Sequence, residues 1–317
     1  MGTIGIQYRG EPRHHRRSHN QIKTKHMNQE TAQQIALTVM KQKTIGIEIE
    51  CYIPSEHRHD IDAAFTAQVN YNRERWNTTT RPYWKGIPDG SLNNPPRGYQ
   101  GFEMIMPPLM PSEAFKQLER VLEVLNRYGA KVRKCCGLHV HCDAQGFTPK
   151  RLQYALNHYV KSEKAIDCLM PLTRRGDQEA MPSHKRYCRS TKEILDTAID
   201  GGRIRAGGYL RYRKLNLTSF AKHGTLEYRH HGATLDFGKI VAWAAFCQSS
   251  TERCRTLVTR TESYNNPMHN VLLAVKWATH NLDGTLDPVN DASRVLIEYV
   301  IARMDHFGFG AKAPRIG

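Results

Sequence analysis

Glu48 and Glu50 stand one residue apart in Thr44-Ile-Gly-Ile-Glu-Ile-Glu-Cys-Tyr-Ile53, a segment that alternates apolar and polar side chains. Residues two apart on a strand share a face, so both carboxylates point one way while Ile47, Ile49 and Cys51 point the other. Adjacent carboxylates repel unless a cation neutralises them, which makes the pair a candidate metal site; an exposed strand face is the alternative. Gly137-Leu-His-Val-His141 repeats the arrangement with His139 and His141 opposite Leu138, Val140 and Cys142, a pair suited to a metal or a phosphate. A zinc site drawn from Cys135, Cys136, His139, His141 and Cys142 is disfavoured, because Cys142 faces away from the histidines and no second Cys-x-x-Cys pair completes four ligands. In Thr225-Leu-Glu-Tyr-Arg-His-His231, strand alternation puts Glu227, Arg229 and His231 on one face and Leu226, Tyr228 and His230 on the other. Arg211 and Arg213 share a face just upstream. One carboxylate among several guanidiniums fits a place where metal and phosphate meet, or an ordinary ion-pair surface. Glu103 is a lone acid in Gly101-Phe-Glu-Met-Ile-Met106, and Asp89 sits in an Asp-Gly-Ser turn that turn chemistry alone would explain.

Periodicity indicates the elements that must position these groups. Asn28 caps a helix with apolar Ala32, Ile35, Ala36, Val39 and Met40. Strands are expected over 44–53, 101–106, 130–142, 209–220 and 225–231, the last two joined by Ala-Lys-His-Gly as an antiparallel hairpin. Ser112 is expected to cap a helix carrying Phe115, Leu118, Val121, Leu122 and Leu125 and closed by Gly129; Thr148-Pro149 opens another, to about residue 169. Ser190 with Glu193 reads as a capping box before a short helix over 191–198. Helices are expected near 237–256, 267–281 and 291–306. Runs of strands with interspersed helices argue for an α+β fold with a largely antiparallel sheet. The expected organisation is a basic arm plus a short helix over 1–43 and one catalytic domain over 44–310, mostly helical from about 237.

The 317 residues carry 46 Lys and Arg against 30 Asp and Glu, a formal net charge of +16, and are 39% hydrophobic. That is enough apolar content for a core, which excludes global disorder, and enough charge to predict an anionic partner. The charge is concentrated. Residues 1–43 hold eight Lys and Arg against two acids, and residues 174–222 hold twelve against five. The second stretch leads into Arg211 and Arg213; the first suits a solubilising tail or an arm that docks a bulky anionic acceptor such as a peptide. No window approaches the ~18 consecutive apolar residues of a transmembrane helix. The N-terminus lacks an apolar signal core, and Ile6 stands where a myristoylation signal wants Ser or Thr. Eight scattered cysteines in such a chain suggest reduced thiols, so a cytoplasmic protein with no membrane partner is expected.

The order of the motifs says more than any one of them. Gly46-Ile-Glu-Ile-Glu50, Asp89-Gly-Ser-Leu92, Glu103-Met-Ile-Met-Pro-Pro-Leu109, Cys136-Gly-Leu-His-Val-His141 and Leu226-Glu-Tyr-Arg-His-His-Gly-Ala-Thr-Leu-Asp236 together resemble the amidoligase family of the glutamine synthetase and glutamate–cysteine ligase superfamily. The resemblance spans about residues 44–240. It implies a glutamine synthetase-like α+β fold, a largely antiparallel curved sheet with helices on its outer face and two or three Mg²⁺ or Mn²⁺ ions on its concave face. It also implies an ATP-dependent carboxylate–amine ligase: ATP phosphorylates a carboxylate, and an amine attacks the acyl phosphate to give an amide, ADP and phosphate. Carried over residue by residue, Glu48, Glu50, Glu103, His139 and Glu227 would be metal ligands. His141, Arg229 and Arg213 would bind ATP phosphates, Arg211 and Asp89 would contact substrate, and Arg229, Arg211 and Glu50 would be catalytic. Met106 departs from the small hydroxyl residue the family often carries there. Residues 54–88 and the C-terminal third do not align, and substrate would be read there.

Elementary chemistry agrees with that expectation. Oxygen-rich ligand sets suit Mg²⁺ better than zinc, and bringing a triphosphate to a carboxylate requires cations to offset the repulsion. The chain has no Gly-x-x-x-x-Gly-Lys-Ser/Thr loop. Two other classes compete. A metal-dependent hydrolase could use His139 and His141, but barrel hydrolases place such a pair early and add ligands on later strands. A non-catalytic nucleic-acid-binding protein would explain the charge, particularly in the arm over 1–28, but no recognised binding signature supports it.

Overall fold

The computed structural model describes residues 27–40, 43–92, 94–175, 187–205, 210–256 and 291–306. Most of the basic arm and the expected helix over 267–281 lie outside the described residues. Nine strands occur among these residues: β1 (Ile45–Pro54), β2 (Tyr71–Arg73), β3 (Trp84–Ile87), β4 (Tyr99–Ile105), β5 (Gly137–Asp143), β6 (Ile199–Asp200), β7 (Arg203–Ile204), β8 (Leu215–Asn216) and β9 (Thr225–Gly232). The helices are α1 (Gln29–Thr38), α2 (Arg58–Gln68), α3 (Pro111–Arg127), α4 (Pro149–Asp167), α5 (Thr218–His223), α6 (Phe237–Thr256) and α7 (Asp291–His306). Seven strands form one sheet in the order β2-β3-β4-β1-β5-β9-β8; every neighbouring pair is antiparallel except β2 with β3. The fold is mixed α+β, and β6 and β7 make a separate two-stranded ribbon.

The alternation in β1 sorts the sheet into two chemically distinct faces. Ile45, Ile47, Ile49, Cys51 and Ile53 enter the core with Leu138, Val140 and Cys142 of β5 and Phe102 and Met104 of β4. Helix α3 covers this face through Ala114, Phe115, Leu118, Val121, Leu122 and Leu125, and α6 packs beside it against β5 and β9. Burying a Leu, Val or Phe side chain contributes about 1.5–3 kcal/mol, so this layer holds the opposite, polar face in place. Helix α1 joins the same core with Ala32, Ile35 and Ala36, and Asn28 caps it by accepting from Thr31 N at 2.9 Å. Among the described residues, no helix is long and apolar enough to cross a membrane.

Several expected elements differ. The strand expected over 130–142 starts only at Gly137: Lys131 makes a single bridge to Tyr52, and a turn closes from Cys136 N to Arg133 O. The segment 209–220 is not one long strand. Only Leu215–Asn216 pairs with β9, and the expected Ala-Lys-His-Gly turn belongs to α5, which Gly224 ends in the left-handed conformation at φ +69°. Ser112 does not cap α3. Pro111 takes the first helical position, the cap residue is Met110, and the Ser112 hydroxyl bonds to the Gln33 side chain instead. Thr148 does cap α4, accepting from Arg151 N. Ser190 caps a single 3₁₀ turn over Thr191–Ile194, but the capping box stays open because the Glu193 carboxylate is taken by Arg213.

Candidate active site

Three neighbouring cross-strand rows on the polar face build the site. In the first, Glu50 of β1 stands opposite Glu103 of β4, and its Oε2 accepts the Gly137 backbone N–H of β5 at 2.6 Å. In the second, Glu48 pairs with His139; Nδ1 lies 3.0 Å from Glu48 Oε2 and Nε2 3.5 Å from Glu50 Oε1. In the third, Gly46 faces His141, His141 faces Glu227 of β9, and Glu227 faces Asn216 of β8. Asn216 Nδ2 donates to Glu227 Oε2 at 2.5 Å, and the Arg229 guanidinium donates to Glu227 Oε1 while lying 3.4 Å from His139 Nδ1. These rows floor a cavity of about 1190 Å³.

A bulge in β9 sets the position of Arg229. Leu138 pairs with His231 but Val140 with Tyr228, so β9 carries one extra residue across His139. Strict alternation would have put His231 beside Glu227 and Arg229. The bulge instead turns His231 into the helix layer, 3.1 Å from the Tyr299 hydroxyl of α7 and with its ring 5.3 Å from that of Trp243. Behind the bulge lies a buried ion network. Lys214 Nζ is 2.6 Å from Asp167 and 3.2 Å from Glu163, and His230 bridges Asp167 to the Tyr159 hydroxyl. The Lys214 carbonyl accepts Arg229 N at 2.7 Å, which ties the bulge to that network.

The electrostatics of the acids are divided. Burial and the neighbouring Glu48, Glu50 and Asp89 push Glu103 well above the usual carboxylate range. Burial opposes ionisation of Glu48 too, but His141 and His139 outweigh it and hold that carboxyl well below the ordinary range. Glu227 is also held down, burial being outweighed by Arg229 and His141. Burial lowers and Glu48 and Glu227 raise His141, with a net rise. Asp89 is raised by burial and by Glu50, and its Oδ1 accepts Ser91 N at 2.8 Å, so its side chain closes the expected turn while lining the cavity.

Two trios offer ligand atoms mutually within 4.8 Å: Glu48, Glu103 and His139; and Glu48, His141 and Glu227. Each supplies two carboxylates and one imidazole, a set that suits an oxygen-preferring divalent ion. His141 Nε2 lies 3.3 Å from Glu48 Oε1 without hydrogen-bond alignment and is a buried nitrogen with no hydrogen-bond partner among the described residues. Three acids crowd Glu103 and, with burial, outweigh Arg229 and Lys85, so a further cation would relieve the charge imbalance. His141, expected at phosphate, stands among ligand atoms, whereas Glu50, expected as a ligand, falls in neither trio. Cys142 is fully buried in the core, and neither trio contains a cysteine. Among the described residues the sheet has two edges, β2 and β8, and is largely antiparallel, unlike the closed parallel barrel of the barrel hydrolases weighed above.

Arg211 is exposed on the cavity wall with its guanidinium 5.3 Å from the Tyr212 ring. Arg213 is not on that wall: it is buried and paired with Glu193 and the Ser190 carbonyl, since strand geometry ends before Lys214. Among the cavity residues that carry no motif are Asn216, Lys85 and Arg174. Asn216 orients Glu227. Lys85 of β3, opposite Ile105, is 3% exposed and donates to Asn77 O, Asn77 Oδ1 and Thr79 O. Arg174 reaches the cavity from a 3₁₀ turn over Leu172–Arg174. Lys85 sits in a short strand whose pairing is invisible in sequence; only its place between apolar neighbours Trp84 and Ile87 could have marked it.

No curated protein gives a significant match to the chain. A family model described as "Putative amidoligase enzyme" matches residues 41–251, two-thirds of the chain, including every member of both trios and Arg229. The chain belongs to this amidoligase family.

Proposed function

We propose that this protein is an ATP-dependent carboxylate–amine ligase, forming an amide or peptide bond through an acyl phosphate with two or three Mg²⁺ or Mn²⁺ ions. The observation that carries the reading is the convergence of two carboxylate–imidazole trios on the shared Glu48, with Arg229 between them, on one face of the sheet. Glu48, Glu103, His139, His141 and Glu227 would hold the metal ions, which would supply neutralising charge for a triphosphate beside a carboxylate. Arg229 is buried, and although burial favours its neutral form, Glu227 and Glu50 keep it firmly charged. Its Nε has no hydrogen-bond partner among the described residues. A fixed guanidinium in a desolvated site stabilises charge that develops on a transferring phosphoryl group. In the first step a carboxylate oxygen attacks the γ-phosphorus and the bond to ADP breaks. In the second the amine nitrogen attacks the acyl carbon, phosphate departs with the C–O electron pair, and the amine releases a proton. Arg211, exposed on the wall, would meet an acidic substrate.

The test is a coupled ADP-release assay over panels of carboxylates and amines. Turnover should require MgATP, one carboxylate and one amine together, with mass spectrometry finding the amide. Glu48→Ala and Glu227→Ala should abolish it; turnover that survives either change shows that the site is elsewhere.

A further inference from the structure

Gly137 of β5 and Gly232 of β9 stand directly opposite each other at the end of the sheet beyond Glu50. Arg174 lies across this glycine pair. A Cβ built on Gly232 would be 3.9 Å from Arg174 Cγ, and one built on Gly137 would be 3.1 and 3.3 Å from its two terminal nitrogens. The missing side chain at Gly137 therefore leaves the room in which the guanidinium reaches the cavity, whereas a Cβ at Gly232 would meet the arginine stem only in ordinary contact.

Arg174 is only 6% exposed. Among the described residues its single hydrogen bond runs from an Nη to the Cys135 carbonyl at 3.1 Å, and it has no carboxylate within ion-pair distance. A guanidinium has five N–H donors, and burying them without acceptors is costly. Arg133, four residues before Gly137, also lines the cavity, with one hydrogen bond to Asn94 O among the described residues and its guanidinium 5.9 Å from the Tyr52 ring. Two cations with spare donors thus line the cavity near the Gly137 end of β5. Four residues along β5 separate Gly137 from His141, a distance of roughly 13 Å.

We propose that this end is an oxyanion subsite in which Arg174 holds a carboxylate of the substrate, a second acidic group distinct from the one being activated. Two observations favour carboxylate over phosphate. Both terminal nitrogens of the fork lie beside Gly137, at 3.1 and 3.3 Å from where its Cβ would be, and a guanidinium with two such nitrogens at the cavity can pair with a planar carboxylate in bidentate fashion. Glu50 and Asp89 border the same end, so a singly charged group meets less repulsion there than a doubly charged one. The substrate class that follows is a compound with two carboxylates separated by a short chain, or an acidic amino acid or peptide end. This assignment rests on the ligase reading for what the bound molecule becomes, but not for its binding.

The experiment measures ligand-induced melting shifts of the full-length protein with succinate, inorganic phosphate and MgATP as separate probes. It compares the native chain with Arg174→Gln, Arg174→Lys and Gly232→Ala; the Cβ of the last meets only ordinary contacts. Succinate should stabilise the native protein and Gly232→Ala. It should bind at least ten-fold more weakly to Arg174→Gln and intermediately to Arg174→Lys, while the MgATP shift is retained in all. Four results would overturn the proposal: no succinate shift in the native protein, an undiminished shift in Arg174→Gln, loss of the phosphate shift alone, or equal loss of the succinate and MgATP shifts. Should Arg174→Gln fail to fold, Arg174→Lys carries the same comparison. Succinate binding through Arg174 without any response to MgATP would sink the ligase reading and leave the subsite standing.

Discussion

Glu50 and Glu103 face each other across β1 and β4, two acids in direct cross-strand register inside a buried floor. Like charges in that geometry destabilise a sheet by up to about 1 kcal/mol, and burial adds to the cost. Glu103 is pushed well above the ordinary carboxylate range, so its folded value lies above its unfolded one. For an acid, that sign means stability is lost as pH rises past the unfolded value of ~4.3. Glu103→Gln should therefore raise the melting temperature of the metal-free protein, by about 2 °C. Mg²⁺ or Mn²⁺ should stabilise the native chain and stabilise Glu103→Gln much less. Calorimetry in chelator and in saturating metal decides it; a cation shift unaffected by the substitution would mean Glu103 is not a ligand.

Arg229 depends on the bulge at His139 for its position and on Glu227 for its orientation. Lysine keeps the charge but loses the fork, and at a site that needs directed donors this is not a conservative change. Arg229→Lys should lower kcat about 100-fold or more with a smaller change in KM for ATP, because the guanidinium acts chiefly on charge that develops during transfer. Steady-state kinetics of ADP release read both constants. A rise in KM at unchanged kcat would instead make Arg229 a ground-state binding residue.

The alternation Ile47-Glu48-Ile49-Glu50 reports which face each residue takes, and the paired histidines report theirs, because both follow from the local geometry of a strand. The α+β class and the acids of the floor were legible for that reason. What escaped depends on tertiary pairing. His231 was misplaced because a bulge breaks the alternation, and bulges carry no obligatory sequence mark away from glycine. Arg213 looked equivalent to Arg211, but the strand shrinks to Leu215–Asn216 and Glu193, 20 residues earlier, claims it. Leu215 and Leu217 imitate strand spacing up to a helix that begins at Thr218. Lys85 and Arg174 lie in segments without periodicity, and only the folded sheet brings them to the cavity.

Gly137 is held to glycine by its surroundings. An added Cβ would sit 2.7 Å from His139 Nε2, closer than side chains approach, and 3.1 Å from Arg174, a tight contact. Gly137→Ala must displace His139 or push the strand away from Glu50, whose Oε2 its N–H contacts. Overpacking of this kind costs about 1–3 kcal/mol. Gly232→Ala, with nearest atoms at 3.5 Å and beyond, should stay within about 0.5 kcal/mol of the native chain. Denaturant midpoints of the two variants provide the comparison; equal effects would contradict the packing assigned to Gly137.

His158 and His231 predict how stability responds to acid. Burial, then Arg253 and Lys161, bring His158 down to about 4; burial, then Arg303, bring His231 down to about 3. Both imidazoles are therefore neutral in the folded chain, whereas in the unfolded chain they titrate near ~6.5. Below that value the unfolded state takes up protons that the folded state refuses, so stability falls as pH drops. Each site contributes a slope of about 1.4 kcal/mol per pH unit until its folded value is reached. Glu103 and His141 act in the opposite sense, so the informative quantity is a difference between variants. The stability gap between the native chain and His231→Gln should shift by roughly 2 kcal/mol from pH 6.5 to pH 5, in the direction that favours His231→Gln in acid. Urea unfolding at intervals across that window measures it, and a gap that stays constant would show that His231 is protonated in the folded protein.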